Sequence, residues 1–267
     1  MSHPPSDQPP ILVAVLTTPS RGEVHQREPL GRPGASAHAY YRRRRIAEWT
    51  LYQRTLPWRL VAVTLAGLAA GVAVRQPAPA LAAWAAALAA IVVGWRLRFR
   101  VSQDTRNWAR GARGERRTAR QLRLLTRRGW IVFHDLAVPG SGANADHLVI
   151  GPGGVFLLDS KNWRGRLVFA PDGTLWHGSY LVTATLATIG FEATAIANVL
   201  AVPGHAIQPI MVVHGSTIPW GEQYLGGVAV LPAGRLVATL LALPPLLTDE
   251  QVTQLAHRVR ARLRPAG

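Results

Sequence analysis

The stretch Ala143-Asn144-Ala145-Asp146-His147-Leu148-Val149-Ile150-Gly151-Pro152-Gly153-Gly154-Val155-Phe156-Leu157-Leu158-Asp159-Ser160-Lys161 decides the fold. Two apolar, β-forming runs, Asp146–Ile150 and Val155–Asp159, flank Gly151-Pro152-Gly153-Gly154, a strong signal for a β-hairpin. A symmetric four-residue loop pairs Ile150 with Val155 and carries the register on to Asp146 opposite Asp159. Directly opposite residues share a face, as do residues two apart on one strand. Lys161 therefore projects beside Asp159. His147 follows Asp146 and points to the other face, so it reads as a packing residue rather than a ligand.

Two carboxylates set opposite each other repel, and each raises the pKa of the other. A chain keeps such a pair when something positive lies between them. A hard divalent cation is the simplest candidate, because Mg²⁺ takes one or two carboxylates and retains waters for substrate phosphate oxygens. Lys161 would then polarise the attacking water or stabilise charge developing on the phosphate. The competing reading is two solvated acids bridged by a lysine, since Asp-x-Lys is a short pattern with many chance matches.

Upstream, Arg106 to Arg127 reads as a helix ended by Gly129. Gly111, Gly114, Glu115, Thr118 and Leu122 recur on one face at helical spacing. The glycines allow close approach to a sheet, and an acid on that small-residue face of a basic helix needs a partner inside. The metal site supplies one directly or through water, and a Glu–Arg pair is the alternative. Trp130 to Leu136 reads as a strand, and Val138 to Ala143 as a loop. Downstream come a strand over Arg166–Phe169 turned by Pro171-Asp172-Gly173, a helix over Leu181–Leu200, strands over Pro209–His214 and Gly227–Leu231, and an amphipathic helix over Asp249–Leu263. This order of elements predicts an α/β domain with a mixed central sheet over residues 101–267.

The N-terminal part has another texture. Residues 1–40 are rich in Pro, Ser and Gly and read as disordered. Within 41–100, an Arg42–Arg45 run precedes an apolar stretch, Leu60–Val74, and a break at Arg75-Gln76-Pro77-Ala78-Pro79. A second apolar stretch, Ala80–Trp95, is followed by Arg96, Arg98 and Arg100. The two stretches read as a transmembrane helical hairpin, with Trp58 and Trp95 at the interfaces and lipid contact over residues 57–95. The outer arginines place both ends, and with them both termini, in the cytoplasm of a bacterial cell by the positive-inside rule. The other reading is a soluble Ala-rich helical hairpin, although both runs lack a polar face. A net charge of +16 with a pI near 11.7 suits a polyanionic partner, either nucleic acid or an anionic membrane surface. The lack of cysteine excludes disulfides, thiolate zinc sites and cysteine nucleophiles.

Gly111-Ala112-Arg113-Gly114-Glu115, together with the run from Ala143 through Asp146, Asp159, Ser160, Lys161, Asn162, Trp163 and Arg164 to Gly165, resembles the nuclease-related domain family, NERD. That family is assigned to the PD-(D/E)xK nuclease-like superfamily. The resemblance is specific over roughly Gly111–Phe169. It implies that Glu115 is the helix acid, Asp146 and Asp159 the hairpin acids and metal ligands with Glu115, and Lys161 the catalytic lysine. The family often has Glu where Asp159 stands. A Gln common on the following helix is absent here, and Glu192 is the only charged residue between Leu181 and Leu200. Trp163 and Arg164 would either stack on a base and contact phosphate or pack a turn into the core. The resemblance implies Mg²⁺- or Mn²⁺-dependent hydrolysis of phosphodiester bonds in nucleic acid, DNA first, and the hairpin places that activity at the inner membrane face. A membrane-tethered module that keeps the nuclease fold only for binding nucleic acid or a protein partner is the alternative, and a scaffold whose basic segments bind lipid head groups is a third reading.

Overall fold

The computed structural model describes residues 30–74, 93–94, 98–218 and 221–266. The chain divides into two compact units. One comprises Tyr40–Trp108, and the other joins the segment up to Ala39 with Ala109–Gly267.

The larger unit is an α/β domain built on a mixed sheet. Its strands are β1 (Ile131–Ala137), β2 (Asn144–Gly151), β3 (Gly154–Phe169), β4 (Leu175–His177), β5 (Tyr180–Leu181), β6 (Ile207–Thr217), β7 (Gln223–Leu225) and β8 (Val228–Pro232). The main sheet runs β1-β2-β3-β6-β8-β7, with β4 and β5 attached to the far half of β3. β3 pairs in parallel with β6, and β6 with β8, while the other pairs are antiparallel. The helices are α1 (Ala35–Val74), α2 (Gln103–Thr126), α3 (Thr183–Leu200), α4 (Leu236–Leu241) and α5 (Asp249–Arg262).

The two sheet faces bury separate cores, as strand alternation requires. Leu148, Ile150, Val155 and Leu157 pack with Leu186, Ile189, Ile196 of α3 and Val252, Leu255, Val259 of α5. Val149, Phe156 and Leu158 face the other way, against Leu122 and Leu125 of α2 and Leu236 and Leu240 of α4. Among the described residues α3 is the one helix long and apolar enough to cross a membrane. Its buried stripe of Leu186, Ile189, Ala193, Ile196 and Leu200 makes it a core helix of this unit.

The hairpin turn is tighter than the sequence predicts. Gly151 and Gly154 extend the ladder and leave only Pro152-Gly153 as the turn, yet one residue is gained on each side, so Ile150 still meets Val155. Glycine is required at 151, where a Cβ would lie 2.0 Å from the Trp130 ring. The expected strand over Arg166–Phe169 is no separate element. It continues β3 past a register shift between Asn162 and Gly165, where Gly165 adopts φ +95°. β4, β5, β7 and α4 are short and carry no periodic signal.

Residues 30–39, the described part of the N-terminal segment before Tyr40, belong to the larger unit. Leu30 O accepts from His134 N at 2.9 Å, along the open edge of β1. Ser36 N and Oγ both donate to the buried Asp135 carboxylate, at 2.7 and 2.5 Å, so Asp135 anchors the start of α1. Ala37 is buried, and Gly34 packs against the Ala112 backbone. From the other end of the chain, Ala137 N donates to Arg264 O and Ala266 N to Asp135 O. Both segments protect a sheet edge that would otherwise offer unpaired backbone groups.

In the unit Tyr40–Trp108, the predicted first apolar stretch is the end of a helix that begins at Ala35, runs for 40 residues and contains Pro57. Glu48 accepts from Ser102 N and from the Ser102 and Thr105 hydroxyls, which caps the start of α2. Trp49, Tyr52 and Phe99 form a ring cluster with centroids 5.0 to 5.6 Å apart. The expected break at Arg75–Pro79 and nearly all of the second apolar stretch lie outside the described residues.

Candidate functional site

Ser160 sets the geometry. Its hydroxyl donates to Thr118 Oγ1 of α2 at 2.8 Å, and Thr118 Oγ1 lies 2.8 Å from His214 Nε2 on β6. Ser160 thus faces α2, and alternation turns Asp159 and Lys161 toward the face covered by α3. Gly114 lets α2 sit close at this level, because a Cβ there would lie 2.8 Å from the Asn162 Cβ. Asn162 Nδ2 completes the join by donating to Arg110 O at 2.9 Å. Gly111, expected to serve the same close approach, meets nothing within 4 Å.

The β1–β2–β3 ladders are interrupted at the site. Pairing of β2 with β3 is recorded up to His147 with Leu158, and β1 with β2 skips Asp135, whose φ is +50°. Continuing the register puts Asp135, Asp146 and Asp159 side by side on three neighbouring strands. Each carboxylate is occupied differently. Asp135 holds Ser36, Asp146 accepts from Ser160 N at 2.7 Å, and Asp159 is paired with Lys161, whose Nζ lies 2.9 and 2.8 Å from its two oxygens.

The electrostatics follow from burying several acids together. Burial, then the charges of Asp135 and Asp159, push the Glu115 carboxyl up to about 7. Burial, then Glu115 and Asp159, raise Asp146 well above the usual carboxylate range. Burial disfavours the Lys161 ammonium, but Asp159 and Asp146 outweigh it and hold Lys161 above its ordinary value. Glu115 makes no ion pair among the described residues, so the Glu–Arg alternative is not realised there.

Sequence reasoning gave Glu192 no role. It is buried on α3, and burial followed by the Asp159 charge pushes it up to about 7. The signal was available, since it is the only charge on an apolar helix. His147 packs away from Asp146 with its Nδ1 2.8 Å from His134 Nδ1. Burial holds both imidazoles below their ordinary value, His134 at about 4.

The expected site residues come from α2, β2 and β3, and their charges act on one another and on Glu192 of α3. Residues 110–214 match the family model described as NERD, nuclease-related domain. The NERD match runs from the start of the α2 face to His214, and it contains Glu115, Asp146, Asp159, Lys161 and Glu192. Over residues 110–214 the larger unit is thus similar to a nuclease-related domain, and that stretch lies on a mixed sheet flanked by helices. No match was found among curated proteins or among solved structures.

All the acids of this cluster offer hard carboxylate oxygens, and their mutual repulsion exceeds what one lysine neutralises. That donor chemistry fits a divalent cation such as Mg²⁺ or Mn²⁺. The spacing is looser than the chemistry, because no three His, Cys, Asp or Glu side chains among the described residues are gathered closely enough to hold a metal ion.

Proposed function

We propose that the chain is a metal-dependent nuclease that hydrolyses phosphodiester bonds of nucleic acid, DNA first, from the cytosolic face of the cell membrane. The observation that carries this reading is the buried set of acids around Lys161, within the NERD match. Asp146 and Asp159 would hold Mg²⁺ or Mn²⁺, with Glu115 as the third, directly or through water. The bound cation supplies Lewis-acid activation of water and neutralisation of phosphate charge. Lys161 presents a fixed ammonium to the oxygens on which charge develops. Ser160 N fixes the Asp146 carboxylate, and the Ser160–Thr118–His214 chain fixes β3 against α2. Glu192 lies on the helix that often carries a Gln in the family, and its carboxyl feels the charges of the same Asp159–Lys161 pair.

The metal claim has a direct test. Asp146→Asn keeps an oxygen that accepts from Ser160 N and removes one of the crowded charges. The metal-free variant is expected to melt at or above the wild-type temperature, while Mg²⁺ or Mn²⁺ no longer raises its Tm. If the metal-induced rise is the same as in wild type, the pair is not the metal site.

A second reading rests on one specific observation. Lys161 is already engaged with Asp159, and among the described residues no three ligands are gathered. A module that uses the nuclease fold only to bind nucleic acid or a protein partner has that arrangement too. Salt-sensitive binding of DNA or RNA without cleavage in Mg²⁺ or Mn²⁺ selects it.

The membrane claim rests on the apolar runs within 57–95 and the arginines on both sides. Carbonate washing of membranes is expected to leave the full chain in the pellet, with a reporter fused after residue 267 on the cytoplasmic side. Release into the wash, or an external reporter, rules the hairpin out.

A further inference from the structure

We infer that β3 beyond Lys161, with the β4–β5 hairpin, forms a stacking subsite for an unpaired nucleobase, so that the substrate is single-stranded nucleic acid or a duplex with a single-stranded segment. The inference rests on the nuclease reading above and names the substrate class of that site.

Three rings gather around Trp163, two positions beyond the lysine on β3. Trp163 lies face to face with His177, centroids 4.7 Å apart at 13°, and Tyr180 meets Trp163 at 6.2 Å and 66°. The rings are held. His177 Nε2 lies 2.6 Å from Arg164 O, and Tyr180 Oη lies 2.8 Å from Thr185 Oγ1 at the start of α3. The β-bulge between Asn162 and Gly165 re-aims this part of β3, as bulges beside active sites do. Trp163 packs partly into the core, which is one of the two roles the sequence allows it, while Tyr180 stays 49% exposed.

A half-exposed tyrosine fixed against a Trp–His stack gains little from folding alone. It offers a rigid ring at low entropic cost to a ligand with a flat apolar face. Exposed Arg164 and Arg166 flank the rings on β3, and Asn162 brings the Arg110 turn of α2 to the same place. The nearby acid, Asp172, is already used by Thr174 N and Oγ1. Aromatic faces beside cationic groups match single strands, whose unpaired bases expose their π-faces. A duplex keeps those faces inside its stack and presents phosphates, sugars and groove edges to such a surface.

The test uses the full-length protein in detergent, without divalent metal, so that binding is read apart from cleavage. The probes are a fluorescent oligothymidylate and a blunt duplex of the same length. Tyr180→Ala is expected to weaken single-strand binding by ~10-fold and leave duplex binding within ~2-fold, and Tyr180→Phe to retain wild-type affinity. Unchanged Tm of Tyr180→Ala confirms that its fold persists. Equal binding by wild type and Tyr180→Ala overturns the subsite, as does an equal loss on both probes. If wild type cleaves with metal while Tyr180→Ala is indistinguishable from it on single strands, the subsite falls and the nuclease reading stands. If wild type neither binds nor cleaves either probe, both fall together.

Discussion

Lys161→Ala is expected to lower phosphodiester cleavage by ~100-fold or more, the scale seen when one positioned electrostatic group is removed. The same variant is expected to bind metal at least as well as wild type. Lys161 Nζ spans both Asp159 oxygens, so the ammonium and a cation compete for one carboxylate. Without the lysine, the metal-free protein carries a partly buried, uncompensated Asp159 and loses stability. Mg²⁺ restores that lost charge, so the metal-induced rise in Tm grows in Lys161→Ala. Lys161→Arg rescues little, because a planar guanidinium on a longer stem cannot occupy the point where a compact ammonium sits. Single-turnover cleavage of labelled DNA, with melting curves at matched metal concentrations, separates the two effects. Cleavage at the wild-type rate in Lys161→Ala means that the lysine has been assigned to the wrong role.

The hairpin was legible because its turn and its apolar alternation point to one register. Gly151-Pro152-Gly153-Gly154 admits a tight or a loose turn, and both centre on the same axis, so Ile150 meets Val155 either way. The positions of Asp146 and Asp159 follow from that symmetry. Glu115 was legible because a charge among glycines and threonine on a basic helix has no surface role. Glu192 was left without a role because a family comparison looks for a Gln on that helix, whereas burial in the structure brings out the lone acid. Asp135 was hidden for another reason. Its carboxylate is claimed by Ser36 across 99 positions of sequence, and its φ of +50° breaks a strand whose residues otherwise read as regular. Pairing between residue 30 and β1 is equally long in range, and no local propensity announces it. The short strands β4 and β5 escaped because two or three residues cannot show a period.

Glu115→Gln is expected to stabilise the metal-free protein at pH 8 and to have no effect at pH 4. Burial, then Asp135 and Asp159, raise the folded-state value of Glu115 to about 7 from an ordinary 4.5. Below 4.5 the carboxyl is protonated in both the folded and the unfolded chain, and the charge penalty is absent. As pH rises from 4.5 to 7 the unfolded chain ionises first, so folding has to retain a proton and stability falls. Above 7 the penalty is complete, on the order of 3 kcal/mol for a shift of this size. Removing it corresponds to a Tm rise of very roughly 5–10 °C. His134, His147 and His214 act in the opposite sense, because burial lowers each of them and the unfolded chain takes up their protons as pH falls below about 6.5. Wild-type stability alone therefore mixes two trends, and the difference between wild type and Glu115→Gln isolates one. Melting curves in a chelating buffer from pH 4 to 9 measure that difference directly. It should be near zero at the acid end, climb between 4.5 and 7, and level off above. Saturating Mg²⁺ at pH 8 should shrink or reverse it, because a cation among the carboxylates favours the ionised Glu115 that glutamine cannot supply. A Tm difference that stays flat across the whole range would mean that Glu115 does not share its charge with Asp159, and the acids would then be separate features of the fold and not one site.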